Sequence, residues 1–172
     1  MTVRISQDLG LKKIIKISKE LGIYENPDEL LSISLGSAET TLLKLTSAYC
    51  SFVNGGKLIE PKLIDRIQDS EGNTIYKTEL RKCKNCEDIS IQSSDVPEIK
   101  DDSKEIFSPQ TAYQITSILE GATKTGTAKK LRDLRMDLAG KTGTTNKNTD
   151  TWFIGFTSDL VIGVYVGYDE PK

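Results

Sequence analysis

The last third of the sequence carries three β-type runs, Leu138 to Thr142, Thr151 to Phe156 and Leu160 to Tyr168, separated by polar turns. In the third run Ile162, Val164, Val166 and Tyr168 alternate with Gly163 and Gly167. A period of two puts the large residues on one face of a strand and the glycines on the other. Gly155, from the neighbouring run, is expected to join the glycine face. A face stripped of side chains lets a helix approach closely. These residues therefore predict helices packed on an antiparallel sheet, an α/β (α+β) architecture.

The preceding runs supply the helices. Leu11, Ile14, Ile15, Ser18 and Leu21 fall on one helix face, with Lys12, Lys13, Lys16, Lys19 and Glu20 on the other and Gly22 as the stop. The lysine-rich side reads as a solvated surface ahead of a docking face for an acidic partner. A second helix is expected from Thr40 or Thr41 to Val53, turning Leu42, Leu45, Tyr49 and Phe52 or Val53 inward, with Asn54-Gly55-Gly56 ending it. Ser108-Pro109 is an N-cap followed by proline at the first helical position. That helix buries Ala112, Ile115, Leu119 and Ala122 and is expected to end near Gly121. Between them, Leu63 to Gln68 and Thr74 to Lys77 flank Asp69-Ser70-Glu71-Gly72-Asn73, good turn chemistry for a hairpin. Residues 79–105 are rich in charge and serine and read as an exposed insertion within a single domain spanning 1–172.

Composition removes several chemistries. The chain has 172 residues, 23 Lys+Arg, 25 Asp+Glu and a net charge of −2, so it has no general attraction for nucleic acid or an acidic membrane. Leu160 to Tyr168 is far too short to span a bilayer, and no signal-peptide pattern opens the sequence. There is no histidine, which excludes Ser-His-Asp and Cys-His catalysis as well as HExxH and two-Cys-two-His metal sites. Three cysteines cannot make a four-Cys zinc site. No metal and no cofactor is expected. Cys83 and Cys86 form a lone CxxC that reads as a local disulfide or an inert loop pair, ahead of half of a metal site shared with a partner. Cys50, among Ala48, Tyr49 and Phe52, reads as a small buried hydrophobe.

The tetrapeptide Lys-Thr-Gly-Thr occurs twice, at 124–127 and 141–144. The first copy follows the helix that starts at Ser108 and reads as a post-helix loop. The second lies at a strand bordering the sheet. Gly140-Lys141-Thr142 also imitates the end of a phosphate-binding P-loop, but Arg135 stands where the first glycine is needed and polar turn residues follow instead of a helix. A nucleotide site is disfavoured on both counts.

The second copy resembles the KTG box of penicillin-binding proteins and the related serine β-lactamases. Its surroundings carry the resemblance further. Ala139-Gly140-Lys141-Thr142-Gly143-Thr144-Thr145 followed by Asp150-Thr151-Trp152-Phe153-Ile154-Gly155-Phe156 is similar to bifunctional (class A) penicillin-binding proteins. Leu35-Gly36-Ser37-Ala38-Glu39-Thr40-Thr41, Ala48-Tyr49, Asn54-Gly55-Gly56-Lys57 and Gly126-Thr127-Ala128 agree, and the last makes the first KTGT a decoy. The resemblance runs through nearly the whole chain, least clearly across Arg81 to Lys104. It implies a partial penicillin-binding/β-lactamase-like transpeptidase fold.

In that family a serine of an SxxK box attacks the D-Ala-D-Ala bond of a peptidoglycan stem peptide, lysine replacing histidine as the base. The resemblance implies that Lys141 supplies positive potential and helps relay protons. It implies that Thr142 and Thr144 hydroxyls bind the terminal carboxylate of a stem peptide or a β-lactam. The Thr144 backbone N–H would be half of an oxyanion hole, where losing a donor costs about 3–4 kcal/mol. Gly143 would let the substrate backbone lie alongside the strand, and Thr145 would line the cleft or serve structure. Trp152 reads as strand core and Asp150 as a turn or capping group. Neither Ser-x-x-Lys nor Ser-x-Asn occurs in the sequence: Ser34, Ser47, Ser70, Ser90 and Ser108 all lack lysine three places on. The expectation is a C-terminal portion of the transpeptidase domain, inert alone and completed, if at all, by the missing N-terminal half. The alternative is a non-catalytic interaction module that kept the fold. A sheet edge and apolar helix faces should stand exposed, giving a marginally stable, aggregation-prone or dimeric product. The family works outside the cytoplasmic membrane on an N-terminal anchor, and this chain by itself would be cytoplasmic.

Overall fold

A computed structural model describes residues 1–78, 101, 103–145 and 149–168, together with the backbone of 83–84 and 98–99. The chain forms two compact units, residues 60–104 and the remainder.

The larger unit opens with helices α1 (Thr2–Leu9) and α2 (Leu11–Glu20), broken at Gly10 where φ is 87°. Gly22 ends α2 as expected. With φ at 71° it lets its own N–H reach the Lys19 carbonyl and the Ile23 N–H reach that of Ser18, satisfying two orphan carbonyls. A short 3-10 helix, Leu31–Leu35, leads to α3 (Leu42–Val53), capped by the Thr41 hydroxyl, which accepts from the Lys44 N–H at 3.2 Å. Residues 54–56 stop α3 as their composition predicts. Gly56 has φ of 93°, and a Cβ there would lie 2.0 Å from the Phe107 carbonyl oxygen, so only glycine fits. The Gly56 carbonyl accepts from both Ile106 and Phe107, and Lys57 bridges antiparallel to Glu105.

Helix α4 (Pro109–Lys124) starts where Ser108-Pro109 predicts, the Ser108 hydroxyl accepting from the Thr111 N–H. It runs on past Gly121, correcting the expected end. The continuation is held by Lys124 bonded to Glu120 at 2.7 Å and by the Thr123 hydroxyl donating to the Leu138 carbonyl. A second 3-10 helix, Lys129–Leu134, connects it to the sheet.

Strands β5 (Ala139–Thr144), β6 (Asp150–Phe156) and β7 (Val161–Gly167) form the expected antiparallel sheet in the order β5-β6-β7. Pairing Lys141 with Ile154 and Ile154 with Gly163 puts these three side-chain positions on one face. That face receives α3: a Cβ on Gly163 would stand 2.0 Å from Thr46 Oγ1 and 3.0 Å from Leu42 Cδ1. Ala139, Ile154 and Phe156 are buried beneath it. Gly155, however, pairs with Ile162 and so lies on the opposite face, under the ring of Phe153, which corrects its predicted placement. On that opposite face Ile162, Val164 and Val166 stand exposed, and β7 is an unpaired edge among the described residues. The predicted inward residues of α3 do meet the core, Leu42 against Gly163, Tyr49 on the ring of Phe156 and Phe52 on that of Phe107, while its most buried positions are Ala48 and Ser51. On the sheet side of the seam it is the glycine at 163 that lets Leu42 and Thr46 come close.

The smaller unit holds the predicted hairpin, β1 (Arg66–Gln68) antiparallel to β2 (Thr74–Lys77). Its turn is organised by the Asp69 carboxylate, which accepts from the Glu71 and Asn73 N–H groups at 2.9 and 2.8 Å. The backbones of β3 (Cys83–Lys84) and β4 (Glu98–Ile99) also pair antiparallel. The Cys83 side chain and Cys86, with most of the expected insertion at 79–105, lie outside the described residues. Cys50 is half-buried, its thiol bonded to the Thr46 carbonyl and shifted to a higher pKa by burial.

Candidate functional site

The second Lys-Thr-Gly-Thr occupies the centre and end of β5, whose outer edge is unpaired among the described residues. An edge strand presents every second N–H and C=O outward, ready to pair with an extended ligand. This placement also removes the P-loop reading, since Lys141-Thr142 is mid-strand and β5 passes by a hairpin into β6 rather than into a helix.

The side chains divide by role. Lys141 is exposed, and its Nζ donates to the Thr142 carbonyl at 2.6 Å. Thr142 is half-buried, and its Oγ1 lies 2.9 Å from Thr127 Oγ1. Thr144 is exposed at the strand end. Gly143 pairs with Trp152, and a Cβ on it would press to 3.2 Å on the Trp152 Cβ, so the missing side chain already has an intramolecular cause. Trp152 in turn packs on Tyr165, ring centroids 4.8 Å apart.

Thr145 belongs to the connection between β5 and β6. Its hydroxyl lies 2.9 Å from Thr149 Oγ1 and accepts from the Asp150 N–H at 2.9 Å, while its own N–H donates to the Asp150 carbonyl. Asp150 also accepts from the Tyr165 hydroxyl at 2.9 Å, joining both neighbours of β6. The hydroxyl of Thr145 thus shapes the hairpin next to Thr144.

The first Lys-Thr-Gly-Thr is built differently. Lys124 is the last residue of α4, with its ammonium bonded to Glu120, which raises its pKa, and Thr125 caps the helix. Thr127, beyond the helix, has no site role in the sequence pattern, where it only helps mark a helix end, yet it meets Thr142 of the second copy. Sequence spacing carries no signal for that contact, because it depends on where α4 docks.

A cavity of about 360 Å³ lies elsewhere in the same unit, between the end of α3, helix α4 and the near ends of β5 and β6, with Phe52, Tyr113 and Phe156 among its walls. None of Lys141 to Thr145 lines it. Among the described residues no cluster of acidic and cysteine side chains could hold a metal, and no helix is long and apolar enough to cross a membrane.

The surrounding fold and the sequence both have close counterparts. The chain is 44% identical over its full length to penicillin-binding protein 1A of Rickettsia prowazekii, spanning 22% of that protein. It is 35% identical to penicillin-binding protein 1A of Neisseria lactamica, spanning 20% of it. The crystal structure of penicillin-binding protein 1A from Haemophilus influenzae superposes with a TM-score of 0.78 at 25% identity, over 99% of this chain and 28% of that one. Penicillin-binding protein A of Mycobacterium tuberculosis, solved as an imipenem acyl-enzyme, shares the fold with a TM-score of 0.69 at 20% identity. The chain thus spans about a fifth of the curated relatives it matches. Residues 2–172, the edge strand with its Lys-Thr-Gly-Thr included, match the penicillin binding protein transpeptidase domain, and the chain belongs to that family.

Proposed function

We propose that this polypeptide forms the KTG-bearing wall of a serine acyl-transfer site that binds D-Ala-D-Ala stem peptides of peptidoglycan and β-lactams. The observation that carries the reading is Lys141-Thr142-Gly143-Thr144 on an open edge strand, in a chain of this family. The exposed strand edge would pair with the peptide backbone. Thr142 and Thr144 would hold its terminal carboxylate, the Thr144 N–H would polarise the scissile carbonyl, and Lys141 would supply positive potential and relay protons. Thr145 contributes by fixing the hairpin that carries Thr144.

The attacking serine must come from polypeptide outside these 172 residues, since they hold no Ser-x-x-Lys. The serine-bearing part of the transpeptidase domain is therefore the macromolecular partner of this wall. The test is intact mass after exposure to a reactive penicillin, of this chain alone and mixed with that serine-bearing part. The expected result is no adduct on this chain and one drug molecule on the partner only in the mixture. An adduct on this chain alone would place the nucleophile within it and overturn the reading. Absence of acylation in the mixture, with both parts folded, would favour the non-catalytic module.

A further inference from the structure

The two Lys-Thr-Gly-Thr copies are not independent. Thr127 Oγ1, from the first, lies 2.9 Å from Thr142 Oγ1, in the second. Thr127 is held there by the turn that leaves α4. The Gly126 N–H donates to the Gly121 carbonyl at 3.1 Å, and the Ala128 N–H donates to that of Ala122 at 3.1 Å. Ala128 is buried, and a Cβ on Gly126 would fall 2.8 Å from Ala122 Cα, so the turn closes against the helix only with glycine there. One turn earlier the Thr123 hydroxyl donates to the Leu138 carbonyl, fixing the end of α4 to the residue just before β5. Two threonine hydroxyls thus clamp the exit of α4 to the candidate strand.

A hydroxyl has one proton and two acceptor lone pairs. If Thr142 donates to Thr127, it turns a lone pair toward any ligand and repels a carboxylate. If Thr127 donates to Thr142, the Thr142 proton is free to be given away, and each bond polarises the next. We infer that Thr127 is a positioning residue that fixes the Thr142 hydroxyl as a donor to an anionic ligand, so that the first Lys-Thr-Gly-Thr orients the second. The inference rests on the proposed role of Thr142 as a carboxylate binder, and it adds selectivity for the charged over the esterified ligand.

The experiment titrates the isotopically labelled 172-residue chain with benzylpenicillin and with its methyl ester, following the Thr142 to Thr145 amide signals by NMR. Thr127→Val keeps the shape and removes the hydroxyl, whereas Thr127→Ser restores a hydroxyl. Expected is a loss of about threefold to tenfold in affinity for the acid in Thr127→Val, little change for the ester, and recovery in Thr127→Ser. A purely structural role would weaken both ligands alike and would overturn the inference. So would an unchanged preference for the acid in Thr127→Val when Thr142→Val has lost it. If the unmodified chain does not prefer the acid over the ester, the carboxylate reading of Thr142 fails first and the inference with it. Unchanged amide spectra outside 120–145 establish that each variant folds.

Discussion

Replacing Gly163 by alanine drives a methyl group into the seam between α3 and β7. The new carbon would stand 2.0 Å from Thr46 Oγ1, 3.0 Å from Leu42 Cδ1 and 3.2 Å from Ile154 Cδ1. The two methyl contacts can be relieved by small rotations. The hydroxyl cannot move freely, because Thr46 is β-branched within a helix and its Oγ1 donates to the Leu42 carbonyl at 2.7 Å. Overpacking of this kind costs about 1–3 kcal/mol, and the backbone gain of alanine over glycine returns about 0.5–1. A net loss of about 1–2 kcal/mol in a chain of this size corresponds to a fall in Tm of about 2–8 °C. Thermal unfolding followed by far-UV circular dichroism reads it directly. Thr46→Ala removes the nearest obstacle, so the double variant should recover part of the loss, with a coupling of at least about 0.5 kcal/mol between the sites. If Gly163→Ala melts within about 1 °C of the parent, or Thr46→Ala gives no coupling, close helix–sheet contact is not what requires glycine here.

Four other outcomes follow from single observations. Gly121→Ala, at an interior helical position with open space around the new methyl, should raise stability by about 0.5–1 kcal/mol in the same melt. Ser51→Ala should also raise Tm, since the Ser51 hydroxyl is fully buried with no hydrogen-bond partner and its removal relieves a desolvation cost of about 1 kcal/mol or more. Backbone bonds and Asn73 hold the Asp69 carboxyl below its usual value of 3.8, chiefly through the Asn73 side chain. Its support for the hairpin is therefore complete above about pH 4 and is lost as pH falls through the lower folded value, which the Asn73 amide shift should track and Asp69→Asn should abolish. In the complemented acylation assay Lys141→Ala should slow adduct formation by about a hundredfold or more, and an unchanged rate would remove Lys141 from the chemistry.

Elements whose signals are local could be read from sequence. The Thr41 cap, the Ser108-Pro109 start of α4, the Gly22 stop and the Asp69 turn all involve residues within a few places of one another. What escaped depends on distant partners. The bounds of helix α1 escaped because it carries no buried apolar stripe: Ile5 and Leu9 are about half exposed and only Ser6 is buried. The end of α4 is decided by Leu138, which accepts from Thr123, rather than by Gly121 itself. The face of Gly155 follows from its pairing with Ile162, which no alternation within one strand reveals. At the candidate site, the second Lys-Thr-Gly-Thr was visible as a motif on a strand. Thr127 beside Thr142 was not, because the contact exists only once α4 has docked on β5.

The tie between residues 56–57 and 105–107 bears on how this chain folds and on what it tolerates. The sheet is a meander whose strands meet across short connections, so its contacts are local and should form early. Helix α3 must then find Gly163 across a long stretch of chain that includes residues 60–104. Closing that stretch costs only about 0.6 kcal/mol more for each doubling of its length, and Gly56, Lys57, Glu105, Ile106 and Phe107 fasten its two ends together. The excursion between them is thermodynamically a side loop. Its length and composition can drift, or be exchanged for another hairpin, while α3, α4 and the edge strand keep their register.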